Sequence, residues 1–251
     1  MGILFSEIYD KSIALFNDPK ITIAYETDKI QYEKIMYSFL QNAIGMFHNP
    51  SSVAVRLSDY TPPKGIMEIF EGDGKNQSFE LSEDFEIIEK SRYNFIEGDK
   101  KITGKIEKIK KEIQDENTGE LIEKEVYTVS FPDILPEGQQ YAVEQYFCGC
   151  FNSDFKGLNR NATNQVKMIE NIVKEIIARL LIQAWAESQR NDYLDVNNNL
   201  TDTDFKQNPA YNMLRENSNF VQRINLELNE RQNRLGWIIR FGQSNSYIGR
   251  G

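Results

Sequence analysis

The feature that most constrains this chain is one long apolar stripe in its second half. Between about residues 162 and 190, apolar side chains recur every three or four positions, the period of an α-helix: Val166, Ile169, Val173, Ile176, Ile177, Leu180, Leu181, Ala184 and Trp185. A helix of about 28 residues spans roughly 42 Å at 1.5 Å per residue. Because the stripe is wide, we expect this helix to pack inside a helical core.

A second long helix is predicted to follow. Asn208 and Pro209 are the residue types favoured at an N-cap and at the first helical position. The apolar stripe that follows is narrow and consists of Leu214, Val221, Ile224, Leu228 and Leu235, with Ile238 near its end. A narrow stripe at three- and four-residue spacing packs along one neighbour. We therefore predict that this helix seam contacts a neighbouring subunit, while the wide stripe serves the core of the protomer.

Two shorter helices are predicted near the start of the chain. The first covers residues 3–17 and ends at Asn17-Asp18-Pro19, because proline cannot extend a helix. Residues 21–25 are predicted to be a short apolar connection. Thr27-Asp28 then supply the N-cap of a second helix, which Asn49-Pro50 ends.

The middle of the chain has the patterns of β-structure. Val53, Val55 and Leu57 alternate with small or polar residues, which predicts a strand. Residues 105–124 fit either a helix or one half of a hairpin. Because residues 121–131 look like a strand and follow the turn residues Asn117-Thr118-Gly119, we favour a long charged β-hairpin. Residues 141–151 are predicted to form the last strand.

These patterns together predict an α+β fold. It comprises a four-helix bundle of two N-terminal and two long C-terminal helices, an inserted β-strand module and an extended C-terminal tail. The predicted bundle takes residues 1–50 with 159–239, the β module residues 51–158, and the tail residues 240–251. We expect the module to project from the bundle and to contact a partner of its own, with the charged hairpin outermost.

The sequence offers little for catalysis. One histidine, His48, and two cysteines, Cys148 and Cys150, exclude most zinc sites and most nucleophilic triads. No phosphate-binding loop of the G-x-x-x-x-G-K-[ST] type occurs. The stretch Asp195-x-Asn197-x-Asn199 opens like a calcium loop, but Leu200 stands where the turn needs glycine. We therefore predict that the chain is not an enzyme and holds no cofactor or metal; a hydrolase with paired acids is the remaining enzymatic alternative.

The charge of the chain bears on its partners. It carries 29 lysines and arginines against 38 aspartates and glutamates, a formal net charge of −9, whereas proteins that bind nucleic acid through charge are usually basic. No apolar run reaches the roughly 18–20 residues of a membrane span, so we expect a soluble protein with no membrane partner. The sparse cysteines fit a reducing compartment such as the cytosol. Met1-Gly2 and Ser6 fit the loose myristoylation pattern, which leaves a lipid anchor as an alternative.

The last residues reverse the charge of the chain. Residues 231–251 contain four arginines and no acidic residue. Apolar side chains and arginines alternate there with small residues. We predict that this segment is a docking tail whose contact residues are Arg240, Phe241, Tyr247, Ile248 and Arg250. Arginine can bind carboxylates through two hydrogen bonds, and the aromatic side chains can fill small pockets.

The N-terminal helix also carries a resemblance to a known family. The run Phe5-Ser6-Glu7-Ile8-Tyr9-Asp10-Lys11, continuing through Leu15-Phe16-Asn17-Asp18-Pro19, resembles the start of head–tail connector (adaptor) proteins of short-tailed bacteriophages, especially of the crAss-like type. The order of helix pair, β insert, long helix pair and tail is similar to those adaptors as well.

The resemblance implies a virion protein at the head–tail junction, assembled in the host cytoplasm. It implies a homo-oligomeric, dodecameric ring that docks on the portal protein, contacts other tail or ring proteins and continues the channel through which DNA passes. The family brings no catalytic residues. The alternative is a non-enzymatic soluble binding or regulatory module, with N-myristoylation as a variant of it.

Overall fold

The computed structural model describes residues 2–16, 19–82, 85, 87–114, 121–156, 158, 163–197 and 209–241. The chain divides into two compact units. The first, called here the helical unit, takes Met1–Pro62 with Cys148–Gly251, and the second, called the β unit, takes Pro63–Phe147. The described residues form helices and several antiparallel sheets, so the fold is mixed α+β.

Six helices occur in the described part of the helical unit. They are α1 (Phe5–Ile13), α2 (Pro19–Thr27), α3 (Lys29–Met46), α4 (Ser51–Leu57), α5 (Thr163–Asn197) and α6 (Pro209–Phe241). The predicted long helices correspond to α5 and α6, and Pro209 is the first residue of α6 as expected. Asp28 caps α3, where its Oδ1 accepts a hydrogen bond from the Gln31 amide at 3.1 Å.

Helix α5 forms the centre of the helical unit. It packs against α1, α3 and α6, and its wide apolar face is almost completely buried. An ion pair between Lys174 on α5 and Glu7 on α1 flanks this packing. The prediction that the wide stripe serves the core is therefore confirmed.

Two predictions for the first part of the chain are wrong. Residues 21–25 lie within helix α2 and do not form a connection. Residues 51–57, predicted as a strand, form α4, in which Val53 and Leu57 are buried and Val55 is exposed. Residues four apart share one face of a helix, so the same apolar spacing suits α4 equally well. The β unit accordingly starts at Pro63, after the predicted boundary at 51.

The start of the chain packs beside a short two-stranded sheet. Strand β1 (Tyr60–Thr61) pairs with β9 (Cys150–Phe151), and Leu4 forms a further antiparallel bridge to Cys150. The first amides of α1 find acceptors here: the Phe5 amide donates to the Gly149 carbonyl at 3.0 Å, and the Ser6 amide donates to the Cys148 Sγ at 3.4 Å. Both cysteines are free thiols.

Gly149 divides the strand predicted over residues 141–151. Its φ of +89° is a left-handed conformation, so the chain leaves the sheet at Phe147 and forms β9 separately. The β unit therefore ends at Phe147, before the predicted boundary at 158.

The β unit contains two antiparallel sheets. Its strands are β2 (Lys64–Glu71), β3 (Ser78–Glu80), β4 (Arg92–Glu97), β5 (Lys100–Ile102), β6 (Lys105–Gln114), β7 (Leu121–Ser130) and β8 (Gln140–Phe147). One sheet has the order β2-β8-β4-β5 and the other β3-β7-β6. A single apolar cluster joins them, with Val129, Phe131, Tyr141 and Val143 among its buried members.

The charged hairpin is confirmed by the pairing of β6 with β7. Their register runs from Lys105 opposite Ser130 to Gln114 opposite Leu121. Lysines and glutamates form cross-strand pairs on it, such as Lys110 Nζ to Glu123 Oε2 at 2.9 Å. The predicted turn at residues 117–119 lies outside the described residues.

Substitution of two glycines tests whether the left-handed backbone and close packing at Gly149 are needed for stability. A Cβ added to Gly149 would lie 2.7 Å from the Phe5 ring and 2.8 Å from the Thr61 carbonyl oxygen. Gly149→Ala should therefore lower the free energy of unfolding by about 2–4 kcal/mol, measured by urea denaturation.

The matched control is Gly236→Ala in α6, because nothing lies within 4 Å of its added Cβ. In a helix this change should raise the free energy of unfolding by about 0.5–1 kcal/mol. Equal effects of the two substitutions would contradict the structural role assigned to Gly149.

Candidate functional site

Helices α5 and α6 form an antiparallel pair held by two ion pairs. Arg179 Nε donates to Glu227 Oε2 at 2.8 Å, and Arg231 pairs with Glu175. Moving from Glu175 to Arg179 along α5 corresponds to moving from Arg231 back to Glu227 along α6, so the two helices run antiparallel. Only 11% of the Arg179 side chain is exposed, so this cation depends on its partner for compensation.

The predicted helix seam lies between these two helices. Val221, Ile224, Leu228 and Leu235 are all buried within the chain, on the side of α6 from which Glu227 and Arg231 reach α5. The side chain of Leu214, the fifth predicted seam residue, lies outside the described part. The neighbour that this narrow stripe contacts is thus helix α5 of the same protomer, where we expected a second subunit. A partner of the folded chain would meet the opposite face of α6.

That opposite face carries two large exposed apolar side chains. Leu226 is 72% exposed and Trp237 is 64% exposed. Trp237 has Arg234 three residues before it and Arg240 three residues after it, and both arginines are exposed. Residues three apart are neighbours on a helix surface, so Trp237 has an exposed arginine one turn before it and another one turn after it. Tryptophan and arginine are the residue types that contribute most often to binding hot spots.

The β unit contains a groove with complementary chemistry. It has a volume of about 330 Å³ and lies between the segment from Phe131 to Pro136 and the strand residues Glu97, Ile102 and Tyr141. Ile134 on its rim is 51% exposed, and Asp133 beside it is exposed as well. No lysine or arginine is among the described side chains that line the groove.

Glu97 is held at the wall of this groove by two hydrogen bonds. Its Oε1 accepts from Gln139 Nε2 at 2.7 Å and from the Tyr141 hydroxyl at 3.2 Å. Burial, together with the negative charge of Glu97, raises the pKa of Tyr141, so the phenol keeps its proton and donates to the carboxylate. The carboxylate is fixed in position and retains acceptor capacity for a further donor.

The net charge of the chain is divided unevenly between the two units. The β unit has 11 basic and 20 acidic side chains, which gives the whole formal charge of −9, whereas the helical unit has 18 of each kind. Within the helical unit, residues 209–251 carry six arginines and three glutamates. Helix α6 itself carries five of these arginines and all three glutamates, so its formal charge is opposite in sign to that of the β unit.

The predicted docking tail is only partly described. Arg240 and Phe241 are the last two residues of α6, so the helix continues into the segment predicted as an extended tail. The proline-free, acid-free stretch that follows includes Tyr247, Ile248 and Arg250, and these lie outside the described residues. The side chain of Phe241 is not described either.

Other kinds of site find no counterpart in the described parts of the chain. These residues include no cluster of three or more histidine, cysteine or acidic side chains arranged to hold a metal ion. None of the helices described has the length and apolarity required to cross a bilayer. The calcium-like stretch falls at the end of α5 and in residues 198–200, where side chains are outside the description.

Comparison with known proteins gives no relative: no family model, no curated protein and no solved structure matches the chain. The site is therefore defined by geometry and charge. Two separate surfaces are candidates: the exposed α6 face around Trp237 in the helical unit and the groove around Ile134 in the β unit.

Two leucines on α6 test which of its faces is structural. Leu228 is 4% exposed and Leu226 is 72% exposed, two residues apart on one helix. Leu228→Ala should lower the free energy of unfolding by about 2–5 kcal/mol, while Leu226→Ala should change it by less than about 0.5 kcal/mol. Urea denaturation of both variants measures the difference. If Leu228→Ala unfolds like the wild type, the assignment of this face to intramolecular packing is wrong.

Proposed function

We propose that the chain is a virion structural protein that forms the head-to-tail adaptor ring below the portal of a short-tailed bacteriophage. In this role it links the capsid to the tail and continues the DNA channel. The observation that carries the proposal is the division of charge. An acidic β unit with an apolar groove and a helix face with exposed tryptophan and arginines give one chain two complementary surfaces, as repeated assembly requires.

The helical unit supports this role by its architecture. We propose that α1, α3, α5 and α6 act as one four-helix bundle, with α5 in contact with the other three. The β unit, Pro63–Phe147, is then an insertion between the two helix pairs. Outside its groove, the acidic surface of the β unit contacts another ring or tail protein in the proposed assembly, since this surface differs in charge from that of the helices.

The acidic charge suits a protein that lines a DNA channel. Like charges repel, so DNA gains few phosphate contacts on the β unit, which has a formal charge of −9, and passes it without binding. In this proposal the chain performs no catalysis and needs no cofactor. A binding or regulatory module outside the virion is the alternative, and binding to a portal protein separates the two functions.

The docking tail is tested by truncation after α6. The helix ends at Phe241, so deletion of residues 242–251 removes the tail and leaves the helix intact. We expect the truncated subunit to fold with an unchanged circular dichroism spectrum and to lose binding to the portal protein of the same phage, measured by co-sedimentation. Many weak contacts act together in a ring, so loss of the tail from every copy removes the avidity.

Point substitutions within the tail provide the matched control. Replacing Tyr247, Ile248 and Arg250 by alanine should reproduce the loss, because these are the proposed anchors. Replacing Ser244, Asn245 and Ser246 by alanine should leave portal binding unchanged. A truncated protein that still joins the portal at full occupancy would show that the tail is not a docking arm.

A further inference from the structure

We infer that the exposed α6 face around Trp237 binds the groove around Ile134 in the β unit of a second copy of this chain. The contact joins two different surfaces. After two copies pair, one still has an unoccupied groove and the other an unoccupied α6 face. Such head-to-tail contacts close into rings when the rotation between copies permits. The inference rests on the proposed function only in naming the ring; the contact itself rests on the two surfaces.

The size and polarity of the two surfaces match. The groove has a volume of about 330 Å³, near the lower end of the roughly 300–1,000 Å³ typical of pockets for whole small molecules, which is ample for one indole ring. Apolar walls from Ile102, Phe131 and Leu135 give the ring a surface on which to pack. Trp237 is 64% exposed, and burial of a large aromatic side chain contributes strongly to an interface.

The charges around the two surfaces are complementary. Arg234 and Arg240 lie one helical turn before and after Trp237 on α6, while Asp133 and Glu97 lie at the rim and wall of the groove. Arginine binds carboxylates through a planar fork of donors, and Glu97 is already held in place by Gln139 and Tyr141. At the level of whole units, the same pairing brings an arginine-rich helix toward a unit of formal charge −9.

A second copy is the occupant that these charges favour. The β unit carries the full net charge of the chain, and its groove is lined by no described basic side chain. Copies are present at equal concentration by definition, and steering between opposite charges speeds their encounter. The contact should weaken as salt is added, because most of the flanking charges are exposed.

The test uses variants that remove one surface each. Trp237→Ala with Arg234→Ala removes the helix surface, and Ile134→Ala with Asp133→Asn removes the groove surface. Self-association of the full chain is measured by sedimentation velocity over a dilution series at low salt. We expect each variant to weaken association by at least about 30-fold, the effect of losing a typical tryptophan hot spot.

An equimolar mixture of the two variants provides the decisive result. One variant retains an intact groove and the other an intact helix face, so the mixture should form a 1:1 complex that grows no further. The controls are Asn225→Ala with Asn229→Ala on α6, both exposed and away from the Trp237 face, and Ile69→Ala with Glu71→Gln on the β unit, which should associate like the wild type. Circular dichroism verifies that every variant is folded.

Three outcomes overturn the inference: a wild type that stays monomeric throughout the series, variants that associate like the wild type, or a mixture that forms no complex. These outcomes are distinguishable from failure of the proposed function. If the contact is verified but the protein binds no portal, the adaptor role is wrong and the contact stands. If the protein forms a ring on the portal and the variants are unaffected, the adaptor role stands and this contact is wrong.

Discussion

The burial of the wide apolar face of α5 is the interaction on which the helical unit depends. Each fully buried leucine or isoleucine contributes about 1.5–3 kcal/mol, and α5 provides a long series of them to α1, α3 and α6. Because α6 uses its narrow stripe for this packing, only its outer face is available to partners. The location of Trp237 and its arginines on the surface is therefore a consequence of how the core is built.

The sequence predicted the long elements well, because their periodicity extends over many turns. Helices α5 and α6 follow from repeated apolar spacing, whereas the β6–β7 hairpin was favoured over a helix by the turn signal at Asn117-Thr118-Gly119. Short segments failed for a physical reason: in residues 51–57, Val53 and Leu57 fit one face of a helix as well as one face of a strand. The strand breaks at Gly149 because its backbone is left-handed and it lies close to Phe5. This contact forms only in the folded chain, so sequence spacing could not predict the break.

The candidate site was predictable only in part. The arginine-rich end of the chain and the acidic middle can be counted in the sequence, and this charge division was the available signal. Trp237 was hidden because it adjoins Ile238, which belongs to the buried stripe. The groove around Ile134 could not be found from sequence, since Glu97, Phe131 and Tyr141 come from separate segments that meet only in the folded unit.

In the proposed role, three parts of the chain act as contact surfaces: the outer face of α6, the groove of the acidic β unit, and residues 242–251. The central claim is that these surfaces assemble identical copies on a portal. Electron microscopy of the full chain mixed with the portal protein of the same phage tests this most directly. The account predicts a closed ring of this chain, coaxial with the portal. A portal that carries no additional ring, or only scattered single copies, would contradict it.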